Sequence, residues 1–347
     1  MRVLVTGSTT PLGTALVDAL LAARDVELVL ATGVEREPPR PIGPRFVYRA
    51  VDLRHPRALH DLLWDTAREC GIDAVIHGMQ HRRSGDRGPR VHAQNVDVTR
   101  GLVLGCTHHP TIRRLVYRGF GEVYALRATS DLLDEEEPLD FSANAPQWVR
   151  DRVEADLTVC AHLAGGLQIA VLRCAEILAP NTGSQLWDYL GSRVCLRPFG
   201  FDPMLNVLSV EDAVAAFIAA LRSSEIGVFN IPGCDTLPLT RAIVESLRAD
   251  IPVPGSLMAP LYGLRRWIAG FDFRYDMNVR RFHFGGVLDG TRARSVLGFT
   301  PRTPVRWPRP WWHLLIERLG AERESADQGL RPDPRNLPDR APTRTTR

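Results

Sequence analysis

The sequence predicts an α/β fold in which one parallel sheet is doubly wound by helices, and three observations predict it. Short apolar runs alternate with longer amphipathic patterns over the first half of the chain. A glycine-bearing turn, Gly7 to Gly13, joins the first run to the first helical pattern. The chain has 347 residues, 44% of them hydrophobic, enough for a buried core in one large or two modest domains.

The expected strands are Val3–Thr6, Val26–Ala31, Phe46–Val51, Ala74–His77, Arg113–Tyr117 and Gln168–Arg173. They read as short continuous apolar runs, the pattern of strands covered on both faces. Between them lie helical segments at Leu12–Ala23, Pro56–Cys70, His92–Cys106 and Pro146–Leu163. Right-handed crossovers then make a Rossmann-type doubly wound sheet the economical topology. After Arg173 turns and prolines become frequent. Helices are expected at Val210–Leu221, Ser256–Ile268 and Pro310–Leu319, and a strand at Gly227–Ile231. Trp307, Trp311 and Trp312 read as a packing cluster, because the nearby helix is short and has no basic face. From Ala321 to Arg347 the chain is rich in Pro, Arg and Asp, and a disordered tail is expected.

Composition excludes several functions. The net charge of +3 is too mild to argue for nucleic acid. All 43 basic residues are arginine. Without lysine there is no Schiff base, no lysine general base and no P-loop lysine. The six cysteines, Cys70, Cys106, Cys160, Cys174, Cys195 and Cys234, show no C-x-x-C spacing, so neither a zinc ribbon nor a redox dithiol is expected. Reduced thiols fit a cytoplasmic protein. The N-terminus begins directly with a strand, which predicts no signal peptide, and no apolar run is long enough to span a membrane.

The turn after the first strand points to a ligand. A strand, a glycine turn and a helix N-terminus leave backbone N–H groups and the positive end of a helix dipole aimed at one spot, where a pyrophosphate fits. A dinucleotide is therefore expected, on a domain of residues 1–175. Residues 176–320 are expected to form a smaller substrate domain interleaved with returning sheet elements, and 321–347 the tail.

Several landmarks, in common order, resemble the NAD-dependent epimerase/dehydratase family of the extended short-chain dehydrogenase/reductase superfamily, over roughly residues 1–305. They are Val5-Thr6-Gly7 through Gly13, Val51-Asp52-Leu53, Val75-Ile76-His77, Asn95-Val96-Asp97-Val98-Thr99, Val116-Tyr117 with Gly121-Glu122-Val123-Tyr124, Val171-Leu172-Arg173, Leu208-Ser209-Val210-Glu211-Asp212, and Leu288-Asp289-Gly290-Thr291-Arg292 to Leu297-Gly298-Phe299. The resemblance implies NAD or NADP at Gly7, Thr9, Thr10, Pro11, Leu12, Gly13, Asp52, Leu53, His77 and Arg152. It also implies a small-molecule ligand, and a homodimer through the helices at His92–Cys106 and Pro146–Leu163.

The departures from that pattern gather at the reacting positions. The family's tyrosine aligns with Trp148, whose indole N–H only donates and cannot cycle a proton near neutral pH. Its lysine aligns with Arg152, which stays protonated and could still grip ribose hydroxyls. Its Ser/Thr partner aligns with Phe120. Tyr124 lies off the catalytic helix by the same resemblance. Thr10 puts a β-branched side chain where close approach to pyrophosphate is wanted, although its hydroxyl could bond a phosphate oxygen. At the end of the second strand Glu35 could reach a ribose hydroxyl or be a solvated loop charge, and Arg36 could meet a 2′-phosphate. Gly78-Met79-Gln80 is bulkier than the family's small residues and narrows the nicotinamide side.

Other polar clusters read as structural. His81, His108 and His109 lack the partners of a metal site. Arg82, Arg83, Arg87 and Arg90 form a basic loop at the sheet's C-terminal edge, placed to meet an anion or to be solvated. Asp134–Glu137 reads as a charged loop. Asp272, Arg274, Tyr275 and Asp276 either line a pocket or lie on the surface. The sequence thus predicts a family member degenerate for Tyr/Lys hydride transfer, with no assignable catalytic residue, that acts as a nucleotide-binding sensor or scaffold. The alternative is an oxidoreductase or epimerase, on a nucleotide-sugar or other small molecule, that uses non-standard residues.

Overall fold

The computed structural model describes residues 1–83, 85–127, 132–269 and 273–310. Residues 1–308 form one compact unit. Its elements follow in chain order: β1 Arg2–Thr6, α1 Pro11–Ala22, β2 Leu28–Gly33, β3 Phe46–Ala50, α2 Pro56–Asp61, β4 Ala74–His77, α3 Pro89–His92, α4 Val98–Thr107, β5 Arg114–Phe120, α5 Gln147–Cys160, β6 Gln168–Cys174, β7 Glu176–Ile177, α6 Gln185–Leu190, β8 Val194–Pro198, β9 Met204–Leu208, α7 Val210–Arg222, β10 Gly227–Ile231, β11 Asp235–Pro238, α8 Leu239–Glu245, β12 Ala249–Val253, α9 Gly255–Ala269, α10 Tyr275–His283 and α11 Thr291–Leu297. Wider π-type turns at Leu62–Ala67 and Ala93–Asp97 continue α2 and join α3 to α4.

The main sheet has seven strands in the order β10-β6-β5-β4-β1-β2-β3. Every neighbouring pair is parallel. The order reverses direction beside β1, which puts the glycine turn at the switch point where ligands enter such sheets. Two apolar layers cover the sheet. Leu16, Val17 and Leu20 of α1 pack with Ala213, Phe217 and Ala220 of α7 on one face. Leu59, Leu102, Val103, Ala155 and Val159 pack on the other. The expected Rossmann-type sheet is therefore present, and its edge strand β10 returns from the second half of the chain.

The second half adds a three-stranded sheet, β11-β9-β7, and a two-stranded one, β12-β8. A third core gathers Tyr189, Tyr262, Phe273 and Phe282 between α6, α9 and α10. No helix among the described residues is long and apolar enough to cross a membrane. Residues 311–319 of the Pro310–Leu319 segment, Trp311 and Trp312 among them, and the 321–347 tail lie outside the described residues, as does Asp272.

Candidate functional site

The glycine turn is built for close backbone approach. Gly7 has φ +70°, and a Cβ there would lie 2.9 Å from the Met79 Cα, so both conformation and space demand glycine. A Cβ on Gly13 would land on the Gly7 carbonyl oxygen and lie 2.7 Å from the Ser8 Cα. Thr10 differs: its backbone is extended, at φ −79° and ψ 157°, which any residue adopts. Its hydroxyl donates to the Gly7 carbonyl at 2.9 Å and accepts from the Gly13 N–H at 3.0 Å. Thr10 is thus the N-cap of α1, followed by Pro11 at the first helical position, and its hydroxyl is committed inside the turn. Gly13→Ala is expected to lower stability by about 1–3 kcal/mol through overpacking against backbone. Thr10→Gly is expected to cost only a few tenths of a kcal/mol. Urea unfolding of the two variants checks the contrast, and equal losses would contradict it.

Just past β2 the fold gives Glu35 a partner within the chain. Its carboxylate folds back against the Thr9 hydroxyl. Burial alone would raise its pKa, but bonds from Thr9 and backbone N–H groups, with Arg82 nearby, hold it below the ordinary value. Tyr48 fixes the loop by donating to the Glu35 carbonyl at 2.6 Å. Arg36 is exposed. Asp52 is turned into a two-pronged bond with Arg54, at 2.9 and 2.7 Å. Leu53 is 2% exposed and belongs to the core with Leu4 and Leu30.

His77 ends β4 beside the turn, yet its ring is fully employed. The Thr99 hydroxyl donates to the Asn95 carbonyl at 2.7 Å, so its oxygen accepts from His77 Nε2–H at 3.1 Å. Nδ1 then accepts from the Thr6 hydroxyl at 2.7 Å. Burial pulls the His77 pKa down to about 4, and the neutral ring serves as a strut between β1, β4 and α4. Because the folded pKa lies below the unfolded one, this group's stability is full above pH ~6.5 and is lost as pH falls toward ~4. His77→Asn is expected to flatten that acid limb by about 2–3 kcal/mol. Denaturant midpoints measured across this interval test it, and parallel curves for the two proteins would refute it.

Phe120, Trp148 and Arg152 converge. Phe120 ends β5, while Trp148 and Arg152 stand four residues apart on one face of α5. The Arg152 guanidinium lies 3.7 Å from both ring centroids, a cation sandwiched between two π faces. Arg118 lies 4.9 Å from the Phe120 ring. Arg152 Nη1 also pairs with Glu122 at 3.2 Å. Burial pulls Arg152 down to about 10, with Glu122 opposing, so it stays charged at neutral pH. For Glu122 burial pulls upward, but Arg152 and Arg281 outweigh it and keep the carboxyl ionised. Tyr124 lies beyond β5, where its hydroxyl donates to Asn230 at 2.7 Å and accepts from Arg173 at 3.0 Å.

Two spaces flank this stack. On the glycine-turn side, Thr10, Pro11, Leu12, Arg118, Phe120 and Arg152 enclose a crevice of about 10 Å³. That is room for about one water. On the other side a cavity of about 280 Å³ is lined by Glu122, Trp148, Val149, Glu176, Met277 and Arg281, among others. Its lining also includes Asp276, which is held by Arg274, while Tyr275 is buried beside it in the aromatic core. The loop arginines Arg82 and Arg83 line a polar hollow that adjoins the crevice and shares Gln80, His81, Arg82 and Asn181 with it. His81 bonds Asp86 at 2.8 Å, and no group of metal-binding side chains forms among the described residues. Glu135 proves structural: its carboxylate accepts the Asn230 N–H at 2.7 Å.

The family described as NAD dependent epimerase/dehydratase family matches residues 3–231, about two thirds of the chain. The chain belongs to that family. Curated relatives include an uncharacterized protein of Mycobacterium tuberculosis (strain ATCC 25618 / H37Rv), 27% identical over 86% of this chain and 80% of its own. Another is a 3-diazoavenalumate denitrifying reductase of a Streptomyces species, 27% identical over 88% of this chain and 97% of its own. Among solved structures, MoeE5 in complex with UDP-glucuronic acid and NAD is similar at TM-score 0.64 and 18% identity, over 88% of this chain and 95% of that one. A UDP-glucuronic acid 4-epimerase from Bacillus cereus, in complex with UDP-glucuronic acid and NAD, gives 0.64 and 17%, over 88% and 95%. These likenesses show the fold.

Membership in an NAD-dependent family supports the expectation of NAD or NADP. Of the residues expected to hold it, Gly7, Thr9, Pro11, Leu12 and Gly13 frame the turn. Thr10, Asp52, Leu53, His77 and Arg152 spend their side chains on protein partners. Sequence reading did not single out Glu122, Glu176 and Arg281 as site residues. The available signal was a charge inside an apolar run, as in Phe120-Gly121-Glu122-Val123-Tyr124.

Proposed function

We propose that this family member binds a dinucleotide through its adenosine diphosphate half, and a small molecule in the adjoining cavity, without the Tyr/Lys proton relay. It works as a ligand-responsive sensor or scaffold. The observation that carries this is the Phe120–Arg152–Trp148 sandwich. An aromatic face, an indole and a permanently charged guanidinium stand where a proton must be donated and its donor tuned. None of the three cycles a proton near neutral pH.

The residues fit the adenosine end of the cofactor. Gly7 and Gly13 let the turn close tightly on its own backbone, α1 presents its positive end above it, and Glu35 stands just past β2 to accept from ribose hydroxyls. The nicotinamide end meets the single-water crevice beneath Phe120 and Arg152. A nicotinamide cofactor supplies hydride transfer when bound. This chain's residues supply binding and a closed, proton-poor wall. Glu35 also favours NAD over NADP, because a 2′-phosphate would meet its negative charge.

A second reading, a reductase whose acceptor needs no proton from the protein, is favoured by the Streptomyces relative, a denitrifying reductase matched over 97% of its length. Calorimetry with NAD, NADH, NADP and NADPH, followed by NADH oxidation on carbonyl and arenediazonium acceptors, separates the two. Binding without turnover supports the sensor. Turnover on the diazonium alone supports the second reading, and carbonyl turnover defeats both. In the same calorimetry Glu35→Ala is expected to weaken NAD and strengthen NADP, narrowing their ratio about tenfold.

A further inference from the structure

The cavity beside Trp148 has an unusual charge arrangement for a family whose solved neighbours hold UDP-sugars. Its lining carries four carboxylates, Glu122, Asp140, Glu176 and Asp276, against two guanidiniums, Arg280 and Arg281. Both guanidiniums are already engaged. Arg280 Nη1 meets Asp140 at 3.1 Å, and Arg281 meets Glu176. The remaining carboxylates are balanced from behind the wall, Glu122 by Arg152 at 3.2 Å and Asp276 by Arg274. A diphosphate entering here finds, among the described residues, no guanidinium on the lining without a carboxylate partner. It would have to displace a carboxylate from one, at the cost of leaving that charge half-buried.

The same wall is rich in acceptors. Glu122 Oε2 is buried against the Arg152 guanidinium at 3.2 Å, and Glu176 Oε2 against that of Arg281. Glu176 spends its other oxygen on the Ser184 hydroxyl at 2.6 Å and the Leu186 N–H at 2.8 Å. An ionised carboxylate has about four lone-pair sites, more than these partners fill, so a ligand N–H or O–H would find an acceptor on this wall. Across the cavity the walls are apolar: Leu126, Leu133, Val149, Met277 and Leu288. Its volume of about 280 Å³ lies at the bottom of the range for small-molecule sites.

We infer that this cavity takes a compact, uncharged or cationic molecule with an apolar body and a hydrogen-bond donor, and not a nucleoside diphosphate sugar. The inference rests on the reading that a small molecule binds beside the dinucleotide, and it names that molecule's class. The acidic lining and the absent proton relay then agree: a neutral or cationic ligand is held by carboxylates and asks for no proton.

The test uses the full chain and four probes, phenethylamine, benzyl alcohol, benzoate and UDP-glucose. Each is followed by saturation-transfer NMR and calorimetry, with and without NAD. Phenethylamine and benzyl alcohol are expected to bind, with benzoate and UDP-glucose at least about tenfold weaker. Val149→Trp, which fills the cavity, is expected to abolish probe binding while thermal unfolding confirms a folded protein. Glu122→Gln is expected to weaken phenethylamine more than benzyl alcohol. Benzoate or UDP-glucose binding as tightly as phenethylamine overturns the inference, and so does failure of both donors to bind. The arms without NAD keep ligand class separate from dinucleotide binding, which the NAD titration alone decides.

Discussion

Arg173→Met is expected to destabilise the protein by about 3–5 kcal/mol, the cost of leaving a buried charge without its partner. Arg173 is 5% exposed and Asp156 1%. Two bonds join them, Nε to Oδ2 at 3.1 Å and Nη2 to Oδ1 at 2.7 Å. A third nitrogen reaches the Tyr124 hydroxyl and the Glu135 carbonyl. Tyr124 passes the chain on to Asn230 in the edge strand β10. One guanidinium therefore ties α5, β6, β10 and the loop after β5 together. Burial opposes its charge, but Asp156 outweighs burial and raises its pKa. Removing it strands the Asp156 carboxylate inside the fold without its partner. Urea midpoints of the variant and wild type test this. Asp156→Leu combined with Arg173→Met is expected to recover most of the loss, because removing both charges leaves none buried alone. A single variant within about 1 kcal/mol of wild type would show that the network carries little.

The fold was legible where burial leaves a simple mark. The strands of the main sheet are covered on both faces, so Val3–Val5 and Val75–Ile76 read as continuous apolar runs. The glycine turn was legible because Gly7 and Gly13 answer a local demand. The second half was not, for an equally physical reason. β7 has two residues, and β12 is mostly exposed and contains Pro252, so neither carries a periodic signal. Their pairing with β9 and β8 is settled by chain segments far away in sequence. At the site, the four-residue spacing of Trp148 and Arg152 announced one helix face. The Glu122–Arg152 and Glu176–Arg281 pairs did not announce themselves, since each joins elements 30 or more residues apart. Thr10 is the instructive case. Read against the family's glycine it looks like a defect, whereas in the turn it is a helix cap that needs only an extended backbone.

Restoring the family's reacting groups has the largest expected effect on chemistry. Phe120→Ser, Trp148→Tyr and Arg152→Lys together are expected to raise NADH-dependent carbonyl reduction by roughly 10²–10⁴-fold over wild type, the usual contribution of a positioned acid/base. Uncharged aldehydes that also carry a hydroxyl donor match the ligand class inferred above and are the probe. The geometry is already present, since the three positions touch and the cavity opens beside Trp148. Two forces work against the gain. The small apolar cluster of Phe120, Val123, Ala145, Trp148, Val149 and Val153 loses aromatic volume, so stability falls and must be measured alongside. Glu122 also remains 3.2 Å from position 152's present cation. Its negative charge holds a nearby phenol's pKa up and competes for the lysine that should lower it. Adding Glu122→Gln should therefore increase the gain further and shift the pH–rate profile to lower pH. The variant with Phe120 retained serves as control, because its ring still lines the crevice of about 10 Å³. If the quadruple variant binds NADH, stays folded and still reduces nothing, then the sandwich is not what silences this site. The obstacle would lie in how the crevice admits the nicotinamide, and the loop through Gly78, Met79 and Gln80 would be the next element to shorten.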